Sequence, residues 1–267
     1  MSSKGENKVV VPNYGDLTVY VGFDSRNFGQ MMAYETCRTS IVKTASQPVE
    51  VRQLIQKNLR ARGIYYQPVD PKAATEFSLT RFLTPFLNQF KGWAVFCDSD
   101  FVWTDDVWKI LDYARADPGK AVYCVHHNHI PKSGLKMNGL AQFAYPRKNW
   151  SSMMLFNCEH PSTQKLTVSA VNNQTPAWLH RMYWANDSEI GSIPHTYNYL
   201  VGHYYDHNEN NLPKVIHWTD GGPWHPGYEN CEFGQLWLSF LTEEEKEKIV
   251  AEREELRKEM DARLNKQ

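Results

Sequence analysis

The sequence predicts an α/β fold, a single domain with a mostly parallel central sheet that is flanked by helices and followed by a C-terminal helix. A strand-like run at residues 17–23 is followed by helical spacing over 30–44 and by a second strand-like run at 48–54, the order of a parallel crossover. The apolar run 93–97 is typical of a strand buried on both faces. Further strand-like runs lie at residues 120–125, 151–158 and 212–217.

The remaining helices are predicted from caps and spacing. Residues 78–87 read as a helix kinked at Pro85, and 165–172 as a short helix. A Thr242-x-x-Glu245 capping box opens a charged C-terminal helix with a thin apolar stripe. It is predicted either to dock or dimerise, which would make a homo-oligomer, or to be a mostly solvated tail, which is favoured slightly. The predicted organisation is an N-terminal tail at 1–16, a domain at 17–240 and the C-terminal helix at 241–267.

Composition restricts the functional classes. The net charge is -1, from 29 basic and 30 acidic residues, so the excess of positive charge that nucleic-acid binding uses is missing. No leader-like apolar segment and no run of about 20 apolar residues occurs, so we expect no membrane span and a cytoplasmic protein. The five cysteines are scattered and never form a Cys-x-x-Cys pair, which predicts buried, inert thiols.

The strand at 93–97 ends in Asp98-Ser99-Asp100. Residues at i and i+2 of an extended chain project to the same side, roughly 6.5 Å apart, so both carboxylates can face one cation. Oxygen ligands suit Mg²⁺ or Mn²⁺. In open α/β sheets, ligands bind beyond the carboxyl ends of the strands. The alternative is that Asp98 and Asp100 cap the next helix, but Asp105 and Asp106 lie closer to its start.

The end of the first strand is the predicted nucleotide site. No Gly-x-Gly-x-x-Gly follows this strand, so the sequence does not support a dinucleotide-binding fold. Phe23 or Phe28 can stack on a base, and Asp24 can bond its polar edge; a solvated turn is the equal alternative. The residues predicted to contact the donor are Val21, Gly22, Phe23, Asp24, Arg26, Arg81, Ser99, Gly221 and Gly222.

Arg81 precedes the strand that carries the aspartates. A guanidinium there suits a diphosphate or carboxylate clamp. A surface ion pair is the equal alternative.

Three histidines, His126, His127 and His129, follow the strand at 120–125. Neighbouring strand positions face opposite sides, so a zinc site is not favoured. The loop at 130–150 is long enough to act as a lid.

Two later turns add candidate residues. Asp187 and Glu189 lie in an acidic turn before Gly191 and can present carboxylates to a cleft, although helix capping explains one of the two. The last strand delivers His217 to a turn that contains Gly221 and Gly222, and this glycine pair permits close approach of an anion.

With these residues in place, the chain resembles the GT-A glycosyltransferases, specifically the glycogenin-like family 8 group. In that family an Asp-x-Asp motif and the histidine of a His-x-x-Gly-x-x-Lys-Pro-Trp motif hold Mn²⁺ against the diphosphate of a UDP-sugar. Here His217 and Pro223-Trp224 match, one residue is shifted and the lysine is missing, so Arg81 or Lys214 is expected to replace it. The chain is also similar to bacterial and phage glycosyltransferases through the runs at 75–83, 147–152 and 155–158.

The resemblance implies a metal-dependent glycosyltransferase, a hexosyl- or pentosyltransferase that acts with retention on a UDP-sugar. Asp98, Asp100 and His217 would be the metal ligands for Mn²⁺ or Mg²⁺. Asp187 or Glu189 would act at the transferred sugar, with Asp187 favoured, and Arg81 would serve the donor phosphates. The acceptor is not identified; a modified nucleic-acid base stays open, although the charge balance does not favour it.

Two other functions stay open. A sugar nucleotidyltransferase uses similar carboxylates but needs a basic, glycine-rich loop, which residues 22–29 do not supply. A noncatalytic carbohydrate-binding protein would use the aromatic residues, 13% of the chain, but would not need the Asp98, Asp100 and His217 trio.

Overall fold

The computed structural model describes residues 16–26, 29–70, 73, 75–127, 134–135, 141–142, 147–207 and 211–264. Three of the sequence-based predictions fall outside these ranges: the side chains of Phe28 and His129, most of the proposed lid at 130–150, and the tail before residue 16.

The elements follow the predicted strand and helix order. The strands are β1 (Leu17–Phe23), β2 (Glu50–Ile55), β3 (Trp93–Cys97), β4 (Phe101–Trp103), β5 (Val122–Val125), β6 (Gly134–Leu135), β7 (Ala141–Gln142), β8 (Met153–Asn157), β9 (Ile190–Ile193), β10 (Tyr199–Leu200) and β11 (Val215–His217). The α-helices are α1 (Gln30–Thr44), α2 (Gln56–Ala61), α3 (Thr84–Leu87), α4 (Leu111–Ala116), α5 (Val168–Asn173), α6 (Pro176–His180), α7 (Gly234–Leu238) and α8 (Glu243–Leu264). Short 3-10 helices lie at Thr80–Leu83, Val107–Ile110, Lys148–Ser152, Thr163–Lys165, Asp187–Glu189 and His195–Tyr197.

The central sheet has six strands in the order β2-β1-β3-β8-β5-β9. β1 is parallel to β2 and β3, and β5 is parallel to β9, whereas β8 is antiparallel to both of its neighbours. Five strands therefore point the same way, which confirms the mostly parallel sheet and the β1-α1-β2 crossover. Their carboxyl ends lie at one edge, together with the start of β8.

Both faces of the sheet are covered, as the apolar strands predicted. Val19 and Val21 of β1 pack with Tyr34 and Ile41 of α1 on one face. Tyr20, which points the other way in the alternating strand, belongs to a second buried cluster that includes Phe82 and Leu179.

A second, three-stranded sheet has the order β10-β11-β4. Three residues, 98–100, separate β3 from β4. β4 runs antiparallel to β11, with Phe101 opposite His217. This pairing brings the last strand of the domain back to the aspartates that follow β3.

Two local predictions are wrong for reasons of backbone chemistry. The helix expected at 78–87 is a 3-10 turn followed by the one-turn helix α3, and Pro85 lies in the first turn of α3, where its missing N–H causes no kink. The helix expected at 165–172 begins at Val168, because the Thr167 hydroxyl accepts a hydrogen bond from Ala170 N.

The alternative that Asp98 and Asp100 cap the next helix is wrong, because Asp106 is the cap. Its carboxylate accepts from Trp108 N at 3.0 Å and caps the helical turn after β4. Asp98 and Asp100 lie before β4 and do not serve that cap.

The predicted buried thiols are confirmed in part. Cys37, Cys97, Cys124 and Cys158 are buried, Cys231 is partly exposed, and all five are free. Burial raises the pKa of Cys158 to about 12, which keeps the thiol protonated and unreactive. Within the described ranges, no helix is long and apolar enough to cross a membrane.

The C-terminal helix α8 docks on its own domain along its first half. Its predicted capping box is present, because Thr242 N donates to Glu245 Oε2 and Glu245 N donates to Thr242 Oγ1. Ile249 is fully buried in a cluster with Trp224 and Trp237. The other described side chains of α8 are exposed or partly exposed, so the helix is mostly solvated, as expected, and is anchored to the domain at Ile249.

Candidate functional site

Asp98, Asp100 and His217 form a cluster beyond the carboxyl end of β3. Their ligand atoms all lie within 4.8 Å of one another. His217 Nε2 lies 3.4 Å from Asp100 Oδ1. The antiparallel pairing of β4 with β11 produces this approach, and Trp218 N donates to Asp100 O at 3.0 Å to continue it.

His217 is held in the orientation and tautomer of a metal ligand. Its Nδ1 donates to Asn198 Oδ1 at 2.8 Å, an assignment that follows because Asn198 Nδ2 donates to Ser152 Oγ. Its ring stacks on Phe101 with 4.2 Å between the ring centroids. The second nitrogen, Nε2, therefore faces the aspartates, as in metal sites where a second residue orients the histidine.

Arg81 is buried and lies beside the cluster. It is 6% exposed, and its Nη1 contacts Asp98 Oδ1 at 3.0 Å and donates to Ser151 O at 2.7 Å. The guanidinium also lies over the rings of Phe77 and Phe96. The alternative of a surface ion pair is wrong, because the 3-10 turn Thr80–Leu83 that carries Arg81 is buried along its whole length. The guanidinium orients a ligand carboxylate and offsets part of its charge.

This donor set fits a divalent cation. Two carboxylates and one imidazole with a preset Nε2 match the mixed oxygen and nitrogen ligands that such ions accept. Asp98 and Asp100 follow the end of β3, and His217 ends β11. The carboxylates of Asp98 and Asp100 remain partly exposed, so a cation could reach them from solvent.

The end of β1 is joined to the metal cluster by Gln30. Gln30 Oε1 accepts from Ser99 Oγ at 2.8 Å and from Asp24 N at 3.2 Å. Ser99, which was predicted to contact the nucleotide-sugar, thus points toward α1. Its hydroxyl and Gln30 link the predicted nucleotide site at the end of β1 with the Asp98, Asp100 and His217 cluster.

Asp24 is fully buried and its carboxylate is used by the protein. It accepts from Arg26 Nε at 3.0 Å, Arg26 Nη2 at 2.8 Å, Arg26 N at 3.0 Å and Glu76 N at 3.1 Å. A carboxylate has about four acceptor positions. Asp24 and Arg26 therefore hold the loop after β1, which leaves little capacity for the polar edge of a base.

Two glycines of the predicted donor site are required by packing. A Cβ on Gly22 would lie 2.6 Å from the Phe77 ring, and a Cβ on Gly222 would lie 2.1 Å from the Trp224 ring. Trp224 also packs against Gly29, where a Cβ would meet it at 2.6 Å. The turn after β11, which includes Gly221 at φ +147°, is thus packed on the loop that precedes α1.

The rest of the predicted donor set is placed as follows. Val21 is buried in the core below the site, and Phe23 makes an edge contact with Tyr34. Lys214, a proposed substitute for the missing lysine, lies at the far end of β11, with Nζ 3.4 Å from Asp105 Oδ2 and above the Tyr197 ring. It does not reach the cluster because it is three residues below His217, beside the end of β4.

The acidic turn lies at the opposite end of the sheet. Ile190 pairs with Val122, Val122 with Phe156, and Phe156 with Ala94 near the start of β3. Ile190 is therefore level with Ala94, which is four residues before Asp98 and so about 13 Å from it along the strand, at about 3.3 Å per residue. The structure does not bring Asp187 and Glu189 to the metal cluster.

Each carboxylate of the turn has a protein partner. Glu189 forms a capping box with Asn186 and accepts from Ser162 Oγ at 2.8 Å. Asp187 is 80% exposed and accepts from Arg147 Nη2 at 2.8 Å. The roles at the sugar that the sequence suggested for them stay predictions.

His126 and His127 diverge, as the strand geometry predicts. His126 stacks on Trp150 at 3.9 Å, whereas His127 Nδ1 bonds the Tyr204 hydroxyl at 2.8 Å. The two rings do not converge on one ion.

Comparison with known proteins found a relative in sequence. The chain is 44% identical over 231 residues to Protein CDI of Arabidopsis thaliana, a match that covers 86% of this chain and 87% of that protein. The chain belongs to the Protein CDI family. No family model matches this CDI-family chain.

Solved glycosyltransferase structures share the fold of this CDI-family protein. The bifunctional WbbM matches with a TM-score of 0.58 and 16% identity, over 89% of this chain and 52% of that chain. GlyE of Streptococcus pneumoniae TIGR4 matches with a TM-score of 0.56 and 12% identity, over 92% of this chain and 64% of that chain. An active-site mutant of LgtC matches with a TM-score of 0.51 and 11% identity, over 85% of this chain and 98% of that chain. The chain spans about half of WbbM and under two thirds of GlyE. These likenesses confirm the GT-A type of fold; they do not single out the family 8 group.

Sequence reasoning missed three residues that shape the site in this CDI-family member. Asn198 orients His217, Ser152 bonds Asn198, and Gln30 joins Ser99 to the end of β1. Only Asn198 left a hint, since it is a polar residue in the aromatic run 197–199 and is fully buried. Ser152 ends the run 147–152 that the resemblance had singled out, but nothing in that run indicated its contact with Asn198, and Gln30 opens α1 without a motif.

Proposed function

We propose that this CDI-family protein is a divalent-metal-dependent glycosyltransferase that uses a nucleotide-sugar donor, a UDP-sugar in the first instance, with Mn²⁺ or Mg²⁺. The observation that carries the proposal is the Asp98, Asp100 and His217 cluster, with its preset imidazole, at the carboxyl ends of the strands of a GT-A sheet. Transfer of a hexose or pentose with retention is part of the proposal through the resemblance to family 8.

The roles of the chain's residues follow from their contacts. Asp98, Asp100 and His217 would hold the cation, which when bound neutralises negative charge on the departing diphosphate. Arg81 pairs with Asp98 and orients its carboxylate, and Asn198 orients His217 so that Nε2 faces the cluster. The loop after β1 and the turn at 221–222 flank the cluster and would contact the nucleotide and its phosphates.

The overall reaction balances without a further reactant. The acceptor hydroxyl oxygen bonds the anomeric carbon, and the bond from that carbon to the diphosphate oxygen breaks with its electron pair on the diphosphate. The hydroxyl proton is released to the diphosphate or to solvent. Precise placement by the cleft and electrostatic stabilisation would supply the rate enhancement.

A donor panel tests the proposal. UDP-, GDP- and ADP-sugars are incubated with the protein and Mn²⁺, and the release of nucleoside diphosphate is measured. We expect hydrolysis of at least one donor that is lost in EDTA and restored by Mn²⁺ or Mg²⁺. Full turnover in chelator would contradict the metal role, and formation of pyrophosphate from a nucleoside triphosphate and a sugar phosphate would show a nucleotidyltransferase instead.

Asp187→Asn and Glu189→Gln test the acidic turn. The register leads us to expect both variants to hydrolyse the donor within about threefold of wild type, because an exposed ion pair such as Asp187 with Arg147 contributes little. A kcat for Asp187→Asn that falls more than tenfold at unchanged donor affinity would instead place its carboxylate at the sugar.

Glu189→Gln should change stability instead. Hydrogen bonds from the Asn186 backbone, and then from Ser162, lower the pKa of Glu189. The ionised form is therefore stabilising above the pKa of the unfolded chain, and this stabilisation is lost as the pH falls through the lower pKa of the folded state. Thermal unfolding should show a lower Tm for the variant at neutral pH and a difference that shrinks in acid.

A further inference from the structure

A continuous set of aromatic and histidine rings lies at the carboxyl ends of the strands, near the Asp98, Asp100 and His217 cluster and on the side away from β1. It consists of His127, His195, Tyr199, Tyr204, His207 and Phe233. Successive ring centroids lie 6.0 Å (His127 to Tyr204), 4.8 Å (Tyr204 to His195), 5.5 Å (Tyr204 to Tyr199), 5.1 Å (Tyr199 to His207) and 4.6 Å (His207 to Phe233) apart. Hereafter this set is the aromatic wall.

The aromatic wall adjoins the metal cluster through the backbone. His127 follows β5 and His195 follows β9, so both emerge at the edge where Asp98 follows β3. Tyr199 is the neighbour of Asn198, which bonds the metal-ligand candidate His217. Ligands bound at the wall would therefore lie beside the cluster, across from the loop after β1.

Three histidines of this region each hold a carboxylate. His195 Nε2 bonds Asp206 Oδ2 at 2.8 Å, and His203 Nε2 bonds Asp220 Oδ2 at 2.7 Å. His207 Nε2 lies 3.0 Å from Glu232 Oε1. The carboxylates of Asp206 and Asp220 are 59% and 61% exposed, so each is oriented through one oxygen while the other faces outward.

The region is acidic and contains one open aromatic ring. Residues 195–207 and 217–233 include no lysine or arginine, and the two arginines of α8 that contact these segments, Arg253 and Arg257, bind Pro223 O and Glu229. Tyr205, next to the wall, is 78% exposed, while its hydroxyl donates to Gly202 O at 2.6 Å and fixes the ring. A fixed, exposed ring is a stacking platform that loses little entropy when it is covered.

We propose that the exposed Tyr205 ring and the carboxylates of Asp206 and Asp220, supported from behind by the largely buried aromatic wall, are the acceptor site and that the acceptor is a neutral saccharide; this inference rests on the proposed glycosyltransferase function. The C–H face of a sugar ring stacks on an aromatic face, and its hydroxyls donate to oriented carboxylates in charge-assisted hydrogen bonds. A nucleic acid or a sugar phosphate would bring negative charge to Asp206, Asp220 and Glu232 with no basic residue of these segments to offset it.

Binding measured by calorimetry tests the class of acceptor. The neutral probes are cellotriose, maltotriose and xylotriose, and the anionic probes are glucose 6-phosphate and a single-stranded oligonucleotide. We expect at least one neutral probe to bind and neither anionic probe to do so. Preferential binding of an anionic probe, or no binding of any neutral probe, would overturn the proposal.

Variants locate the site. Tyr205→Ala and Asp206→Asn should each weaken binding of that saccharide about tenfold, which corresponds to about 1.4 kcal/mol, and lower the ratio of transfer to donor hydrolysis. Tyr66→Ala is the matched control, since Tyr66 is 53% exposed and lies outside the wall. Equal affinities for Tyr205→Ala, Tyr66→Ala and wild type would place the saccharide elsewhere.

The two proposals fail in different ways. If the wild-type protein hydrolyses no donor but the saccharide still binds and binding is still weakened by Tyr205→Ala, the glycosyltransferase function is wrong and the wall is a saccharide-binding surface. If donor hydrolysis is metal-dependent but no neutral saccharide binds, the acceptor inference is wrong and the proposed glycosyltransferase function is still supported.

Discussion

Replacing Asp100 with alanine is expected to abolish donor turnover while leaving the fold intact. Asp100 supplies a carboxylate 3.4 Å from His217 Nε2, and its removal leaves only Asp98 and His217 as candidate ligands. Its side chain is 25% exposed and belongs to none of the buried apolar clusters, so little packing is lost. The substitution also removes one of two neighbouring negative charges, which favours the metal-free protein.

The measurement pairs turnover with thermal unfolding. A ligand that binds the folded state raises its stability, so Mn²⁺ should raise the Tm of wild type and not that of Asp100→Ala. Asp105→Ala is the matched control: its side chain is also 25% exposed, but it pairs with Lys109 and lies outside the cluster. A variant at position 100 that retains turnover would show that Asp100 is not a metal ligand, and one that fails to fold would show that Asp100 is structural.

Replacing Arg81 with lysine should raise the Mn²⁺ concentration needed for half-maximal activity by about tenfold or more. Arg81 contacts Asp98 and Ser151 O with one planar group, and this group lies over the Phe77 and Phe96 rings. An ammonium retains the charge but loses the planar group whose Nε donates to Phe77 O while its Nη1 contacts Ser151 O and Asp98. Arg81→Ala should go further and destabilise the protein by about 3–5 kcal/mol, because it leaves a largely buried carboxylate without its cation.

The metal-activation curve separates a role at the site from a purely structural one. If Arg81 only supports the fold, Arg81→Lys lowers Tm but leaves the half-saturating Mn²⁺ concentration unchanged. Arg52→Lys is the control, because Arg52 forms a comparable pair with Glu50 that is exposed and distant from the cluster. An unchanged metal requirement in Arg81→Lys would limit Arg81 to packing.

The sequence by itself determined what depends on neighbours in the chain. The β1-α1-β2 crossover, the α8 capping box and the two aspartates at the end of β3 were all predicted, because strand alternation and hydrogen bonds over three or four residues are properties of short segments. His217 was predicted as well, but through family resemblance, since no local pattern links it to Asp100.

Only the tertiary structure decided how distant segments meet. The antiparallel register of β4 and β11 sets His217 opposite Phe101, the burial of the turn at residues 80–83 directs Arg81 at Asp98, and the register of β9 places the acidic turn at the far edge of the sheet. Polar residues such as Asn198 and Gln30 carry no periodic signal of their own. Their partners are fixed by strand register and packing, because a shift of one residue turns a side chain to the opposite face.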